Sequence, residues 1–386
     1  MSSPNDTNDS APKKSRKPAN TAFRQQRLQA FLPLLTPKTV LPLFFAVGII
    51  LAPLGGGLLY ASEEIQNIEI DYTNCNSSAT STASPIPISQ ISSSFKNSKN
   101  SSLINQAATW TKFENATDPA TPVCQLQFTI LNDLPAPVLM YYRLTNFYQN
   151  HRRYVKSVSQ DQLKGKAVSL SSINSDCDPL GSQNGKIYYP CGLIANSQFN
   201  DTISAPVQVG LPNGDQVYTM SKDGIAWTSD RNRYGTTKYT LDQIIPPQNW
   251  AKRFPDGYTE ANPPPDFTTD YDFQNWMRTA GLPTFSKLYL RQDTTTMPAG
   301  TYQVNITDAF PVTAYGGTKT LVISTRTVIG GKNPFLGIAY IVVGGICILL
   351  GIIFTARHFF QPRKLGDHRY LTWNQGQAGG LHGNPS

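Results

Sequence analysis

The sequence predicts a membrane protein in which two transmembrane helices carry a large, mostly antiparallel β, sandwich-like exoplasmic domain with helical insertions. Three observations predict it. Two long uncharged apolar stretches occur in the 386-residue chain, at residues 40–61 and 333–356. Basic side chains crowd the outer flank of each stretch. Four of the five cysteines and five of the seven N-x-S/T sequons fall between them.

Residues 1–39 read as an arm. Residues 1–19 are rich in Ser, Asn, Lys and Pro and lack the apolar content that folding requires, so they are expected to be disordered. Asn20 or Thr21 then caps an interfacial helix, with Leu28, Phe31, Leu32 and Leu35 on one face beside Arg24 and Arg27, and with Pro33 and Pro37 limiting its length.

Residues 40–61 form the first span and residues 333–356 the second. A helix needs roughly 20 apolar residues to cross a bilayer core about 30 Å thick. A soluble core helix would show a polar stripe, and neither stretch does. A cleaved signal peptide has a short basic front and a shorter apolar core, so the first stretch reads as a retained anchor.

Charge sets the orientation. Residues 1–39 carry +5 and residues 357–386 carry +3, which accounts for the whole net charge of +8 and leaves residues 62–332 neutral. Positive flanks stay in the cytosol, so both tails are expected there and the middle domain on the lumenal or extracellular side. The basic pI is therefore a topology signal, and no nucleic-acid partner is expected.

In that compartment disulfides persist. Cys75, Cys124, Cys177 and Cys191 allow three pairings, and the nearest-neighbour one, Cys75–Cys124 with Cys177–Cys191, is expected. A zinc site competes poorly, because no C-x-x-C occurs and His151 is the one histidine of this domain. Cys347, inside the second span, reads as a packing residue. The sequons between the spans are at Asn76, Asn100, Asn115, Asn200 and Asn305; N-linked glycans are expected there and no other cofactor.

Within residues 62–332, the segment 74–105 is Ser/Asn/Thr-rich and reads as a loop carrying glycans. Cys124, Leu126, Phe128 and Ile130 alternate with polar residues, as do Tyr302, Val304 and Ile306, which is the period of a half-buried strand. Gly316-Gly317 between two β-rich runs predicts a hairpin. Helices are expected near residues 145–164 and 272–279, the latter ended by Gly281. The Pro-rich stretch 246–265 is expected to run extended over the surface.

Catalysis finds little support. His151 sits between Asn150 and Arg152 without a G-x-S-x-G elbow, and Glu63-Glu64 reads as a solvated flank. No phosphate-binding glycine signature occurs, so the chain is not expected to be an enzyme. The spans carry no charged side chain, and a transport path needs polar groups within the membrane. They carry small residues instead: Gly48, Ala52 and Gly56 every four, and Gly337, Gly344 and Gly351 every seven. Such stripes let helix backbones approach, which points to packing against a partner subunit.

Several segments quoted in order carry a family resemblance. Residues 20–27 read N-T-A-F-R-Q-Q-R and lead through L-T-P-K into the first span. Residues 147–157 read F-Y-Q-N-H-R-R-Y-V-K-S, residues 189–202 Y-P-C-G-L-I-A-N-S-Q-F-N-D-T, residues 249–258 N-W-A-K-R-F-P-D-G-Y, and residues 330–341 G-G-K-N-P-F-L-G-I-A-Y-I. The chain resembles the cell division control protein 50 / ligand-effect modulator family over nearly all of residues 18–357. The resemblance implies the non-catalytic β subunit of a type IV P-type ATPase that flips phospholipids, paired with its catalytic α subunit as a hetero-dimer. It implies a β-rich domain capping the ATPase, the two disulfides named above, and a role in folding, exit from the endoplasmic reticulum towards Golgi, endosome or plasma membrane, and the transport cycle. The segment 74–115 departs from the family pattern in length and sequons.

Residues 147–157 admit two readings. Arg152, Arg153 and Lys156 meet acidic partner loops or lipid headgroups, or else Phe147, Tyr148 and Tyr154 anchor a helix whose cations stay solvated. Arg24, Arg27 and Arg357 are similarly placed for headgroups or for the ATPase. The competing functions are a two-span ligand-gated channel subunit, which lacks a polar pore face, and a membrane-tethered hydrolase.

Overall fold

Apolar length dictates two long helices, Pro37–Glu63 and Phe335–Phe360. The computed structural model describes residues 19–29, 36–96, 108–115, 118–119, 121–326 and 331–362. The expectations for residues 1–18, for Phe31, Leu32 and Leu35, for Asn100 and for most of the 357–386 tail lie outside these. The first helix overruns the expected span at both ends, and the second takes in Arg357 and His358 in its last turn, where cations complement the helix dipole. Pro42 and Pro53 lie inside the first helix, so the carbonyls of Lys38 and Ile49 lack an intrahelical donor.

Where the interfacial helix is expected, residues 21–27 form a single turn and no helix. Thr21 Oγ1 accepts the Arg24 N–H at 3.2 Å, a cap. One turn later Gln26 adopts φ 54° while Arg27 N–H reaches back to Ala22 O at 2.8 Å. That is a Schellman-type closure, and it ends the turn before Leu28.

The chain divides into two compact units, residues 1–54 with 340–386, and residues 55–339. In the first, Phe44 and Phe354 meet edge to face at 5.9 Å. Most of the apolar surface of both helices is uncovered, including Leu43, Ile49, Ile346 and Leu349.

The second unit is a β sandwich with an insertion. Its longer strands are β1 (Asn67–Asp71), β2 (Ile91–Ser94), β3 (Thr109–Phe113), β4 (Val123–Ile130), β5 (Val138–Leu144), β6 (Phe285–Gln292), β7 (Gly300–Thr307) and β8 (Lys319–Thr325). One antiparallel sheet has five strands in the order β6-β5-β8-β1-β2. The other has seven: Gln216–Val217, Val207–Val209, β7, β4, β3 and Ser84–Pro85 in order, with Thr202–Ile203 also on β7. Alternation decides which faces meet. Cys124, Leu126 and Phe128 stand opposite Ile306, Val304 and Tyr302. All six are buried, in one core with Ile70, Met140 and Ile323 of the facing sheet. A second aromatic core holds Tyr189, Trp250, Phe267 and Phe273 around the short strands Lys186–Tyr188 and Ile244–Ile245.

Four expectations are corrected here. Gly316-Gly317 does not close a hairpin, because β7 and β8 belong to different sheets; Pro311 cannot donate to a ladder, and the N–H groups of Ala309 and Phe310 go to the Asp201 carboxylate instead. The Pro-rich stretch lies at the surface but does not run extended: it turns through the short helix Gln248–Trp250 and sinks Trp250, Phe254 and Tyr258 into the core, where Tyr258 Oη donates to Tyr189 O at 2.5 Å. The 145–164 helix is two pieces, Arg152–Lys156 and Gln160–Leu163. Between them Ser157 leaves the helical backbone at ψ 72°, and its Oγ donates to Cys177 O at 3.1 Å and accepts the Leu193 N–H at 3.0 Å. The 74–105 loop includes the helix Cys75–Ser78 and strand β2.

The second expected helix is Tyr271–Met277, capped by Asp270 Oδ1 on the Phe273 N–H at 2.9 Å. Gly281 does not end it. Lys287 Nζ does, donating to the carbonyls of Asn275 at 2.8 Å and Trp276 at 3.4 Å, and to that of Arg278.

Candidate functional site

Helix backbones can touch only where side chains are absent. In the first unit a Cβ added at Gly48 would lie 2.9 Å from Gly344 O, and one at Gly344 would lie 2.9 Å from the Ala52 backbone N. A Cβ on Gly351 would come within 3.1 Å of the Phe45 ring. In the second unit Gly337 is as close to its neighbours, its added Cβ 2.8 Å from Leu59 N and 3.0 Å from Gly55 O. The small residues expected to grip a partner subunit therefore face the chain's own other span. Gly56 has nothing within 4 Å of its added Cβ, and buried Gly55 stands at the seam in its place. Counting by four overshoots a helix of 3.6 residues per turn.

The next cluster was not visible in the sequence. Phe199, Asn200, Asp201 and Thr202 run in order with Asn200 and Thr202 exposed and Asp201 buried, so the sequon straddles a buried carboxylate. Asp201 Oδ2 accepts Lys319 Nζ at 2.7 Å and Tyr72 Oη at 2.9 Å, and Oδ1 accepts the backbone N–H of Ala309 at 2.7 Å. Lys319 also donates to Asp308. Burial pushes the Asp201 carboxyl above its ordinary range, with Lys319 and the Phe310 N–H pulling the other way. Phe199 stacks on Tyr142 at 3.8 Å. A buried charge persists only when paired and hydrogen-bonded, so this cluster fixes the Asn200 segment to β1 and β8. A lone lysine opening the apolar run of β8 was the one available signal.

Of the aromatic side chains of residues 147–157, two anchor the segment and one does not. Phe147 packs on Tyr154, Trp276, Phe285 and Tyr315, whereas Tyr148 is 56% exposed and anchors nothing. Burial pushes the Tyr154 hydroxyl up to about 12. His151 caps the following helix, its Nδ1 accepting the Arg153 N–H at 3.3 Å. Arg152, Arg153 and Lys156 are exposed, and Arg153 makes a loose 3.6 Å pair with Asp178. Arg24 and Arg27 are exposed in the single turn described above, where Arg27 donates to Asn20; Arg357 is exposed at the end of the second long helix.

Cys75 and Cys124 are disulfide-bonded with Cα atoms 6.1 Å apart, and Cys177 and Cys191 with Cα atoms 5.8 Å apart. Cys347 is free. Asn76 is exposed, Asn115 Nδ2 donates to Thr121 Oγ1 at 3.4 Å, and Asn305 on β7 accepts Gln125 Nε2 at 3.0 Å.

The family model for LEM3 (ligand-effect modulator 3) / CDC50 proteins matches residues 58–364. The chain is 44% identical over 380 residues to the phospholipid-transporting ATPase accessory subunit CDC50 of Chaetomium thermophilum, covering 95% of this chain and 93% of that one. It is 41% identical over 363 residues to the phospholipid-transporting ATPase accessory subunit CRF1 of Saccharomyces cerevisiae, covering 93% and 90%. Identity to the cell cycle control protein 50A of Mus musculus is 40% over 363 residues, 88% of each chain.

Proposed function

This chain belongs to the LEM3 (ligand-effect modulator 3) / CDC50 family, and from that premise we propose that it is the non-catalytic accessory subunit of a phospholipid-transporting P-type ATPase. The observation that carries the reading is end-to-end similarity to proteins named for that role, at 44% and 41% identity over more than nine-tenths of this chain. Two features of the molecule support it. Its spans hold no charged side chain with which to move a polar cargo, and their apolar surfaces stay largely uncovered after the seam between them has closed.

On this reading the basic flanks of both spans face the cytosol, and the β domain faces the lumen or exterior. Asn76, Asn100, Asn115, Asn200 and Asn305 carry glycans there. Arg152, Arg153 and Lys156 meet acidic loops of the ATPase, and Arg24, Arg27 and Arg357 meet lipid headgroups or the ATPase at the other surface. The subunit supports folding and exit from the endoplasmic reticulum towards Golgi, endosome or plasma membrane, and performs no chemistry of its own.

Affinity purification in mild detergent followed by mass spectrometry tests this. A stoichiometric complex with a P-type ATPase is expected. Recovery as a homo-oligomer alone, or lipid translocation by vesicles containing this polypeptide as their only protein, would overturn it.

A further inference from the structure

The second unit carries a cavity of about 410 Å³ that none of the roles above uses, and Asn76 of the N-S-S sequon forms part of its wall. Pockets that hold small ligands run from about 300 to 1,000 Å³, so a sugar ring has room there. Two segments distant in sequence build the cavity, residues 73–77 and 308–313, together with Lys319.

The acceptor residue is fixed at that wall. Asn76 lies in the short helix Cys75–Ser78, which the Cys75–Cys124 disulfide ties to β4, and its carbonyl accepts Lys112 Nζ at 2.8 Å. The Asn76 side chain is exposed and makes no hydrogen bond among the described residues. The rest of the lining matches the two-sided chemistry of a pyranose, which has apolar C–H faces and a rim of hydroxyls. Pro311 and Val312 offer apolar surface, and Asp308 and Asn74 offer polar groups. Asp308 Oδ1 accepts Lys319 Nζ, while its Oδ2 has no partner among the described residues. Asn74 makes no capping bond with its side chain.

We propose that the first sugars of an N-linked glycan on Asn76 occupy this cavity. The inference rests on the lumenal placement of the β domain proposed above, because a segment facing the cytosol receives no such glycan. Attachment replaces one hydrogen of Asn76 Nδ2 with the anomeric carbon of the first sugar. The sugar comes from an oligosaccharide linked to a lipid pyrophosphate, which leaves as the amide proton passes to solvent. Tethering makes the site effective without high affinity, since a short linker holds its sugar at an effective concentration of about millimolar. Lys319, which lines the cavity, is the cation that holds Asp201, so a sugar seated there also shields that buried pair from water.

The full chain, made in a yeast host that leaves high-mannose glycans and purified in detergent, tests the site. Peptide mass spectrometry first reads occupancy at Asn76. Endoglycosidase H then releases the Asn76 glycan from the native chain and from Thr313→Trp, which places a bulky ring at an exposed position of the lining. Release from Thr313→Trp is expected to be about tenfold faster, because in the unsubstituted chain cleavage waits for the sugars to leave the cavity. A second measurement uses thermal midpoints. Thr313→Trp is expected to lower the midpoint of the glycosylated chain and to leave that of Asn76→Gln unchanged, since the two positions then share no partner. Equal release from the two chains, or equal shifts in the two backgrounds, overturns the inference while glycans at the sequons leave the lumenal reading standing. Asn76 bare with Asn200 and Asn305 occupied overturns the inference alone, and every sequon bare sinks both.

Discussion

Lys319 Nζ lies 2.7 Å from Asp201 Oδ2, and neither side chain reaches solvent. The contact closes a loop of more than a hundred residues in the middle of the β domain. It joins the first residue of β8 to the central residue of a sequon.

Breaking a buried pair from one side leaves a lone charge, which costs about 3–5 kcal/mol. Lys319→Met is therefore expected to lower the unfolding free energy by about that amount in a urea titration followed by tryptophan fluorescence. Adding Asp201→Asn, which preserves the sequon at Asn200, is expected to restore part of the loss, because no carboxylate then remains at that position. A double variant as unstable as the sum of its parts would mean that the two groups do not interact.

The seam between the spans makes a sharper contrast. A Cβ at Gly344 would meet backbone at 2.9 Å, which no rotamer change relieves, whereas Gly56 has open space for one. Gly344→Val is expected to destabilise the detergent-solubilised chain by about 1–3 kcal/mol, as overpacking does, and Gly56→Val to leave it unchanged. Thermal unfolding of the two variants side by side decides this; equal melting would place the helices further apart than described.

Much of this architecture is legible in the residues, for local reasons. Cys124, Leu126 and Phe128 announce β4 because a strand with one buried face must alternate, and the spans announce themselves because lipid tolerates no charge over that length. What stays hidden is non-local. Gly316 and Gly317 look like a hairpin until Asp201, more than a hundred residues earlier, is seen to claim the N–H groups of Ala309 and Phe310. Trp250 and Phe254 look like part of a Pro-rich strap because nothing local reveals the aromatic core that receives them. The small-residue stripes mark a close helix contact correctly, yet periodicity cannot say which helix is on the other side.

The two disulfides close loops of different length, with cysteines separated by 49 residues in one case and 14 in the other. If chain entropy dominates, removing Cys75 and Cys124 together should cost about 1 kcal/mol more than removing Cys177 and Cys191 together. Paired alanine variants measured under identical denaturant conditions test this. The opposite order would locate the larger effect in native packing of the second aromatic core, where Cys177 and Cys191 are buried.

Lys287 provides a test by pH. Burial, and then the nearby Arg278 guanidinium, pull its ammonium down to about 7. In the unfolded chain a lysine keeps its proton until about pH 10.4. Between those values the unfolded state holds one more proton than the folded state, so stability rises with pH across that window, by at most about 1.4 kcal/mol per pH unit. Below pH 7 both states are protonated and the lysine contributes no slope. Lys287→Met leaves the carbonyls of Asn275, Trp276 and Arg278 without their donor, so it is expected to be less stable at every pH. The informative quantity is the difference between the curves. Wild type should gain stability relative to Lys287→Met from pH 7 to pH 9, and parallel curves would show that Lys287 keeps its proton in the fold.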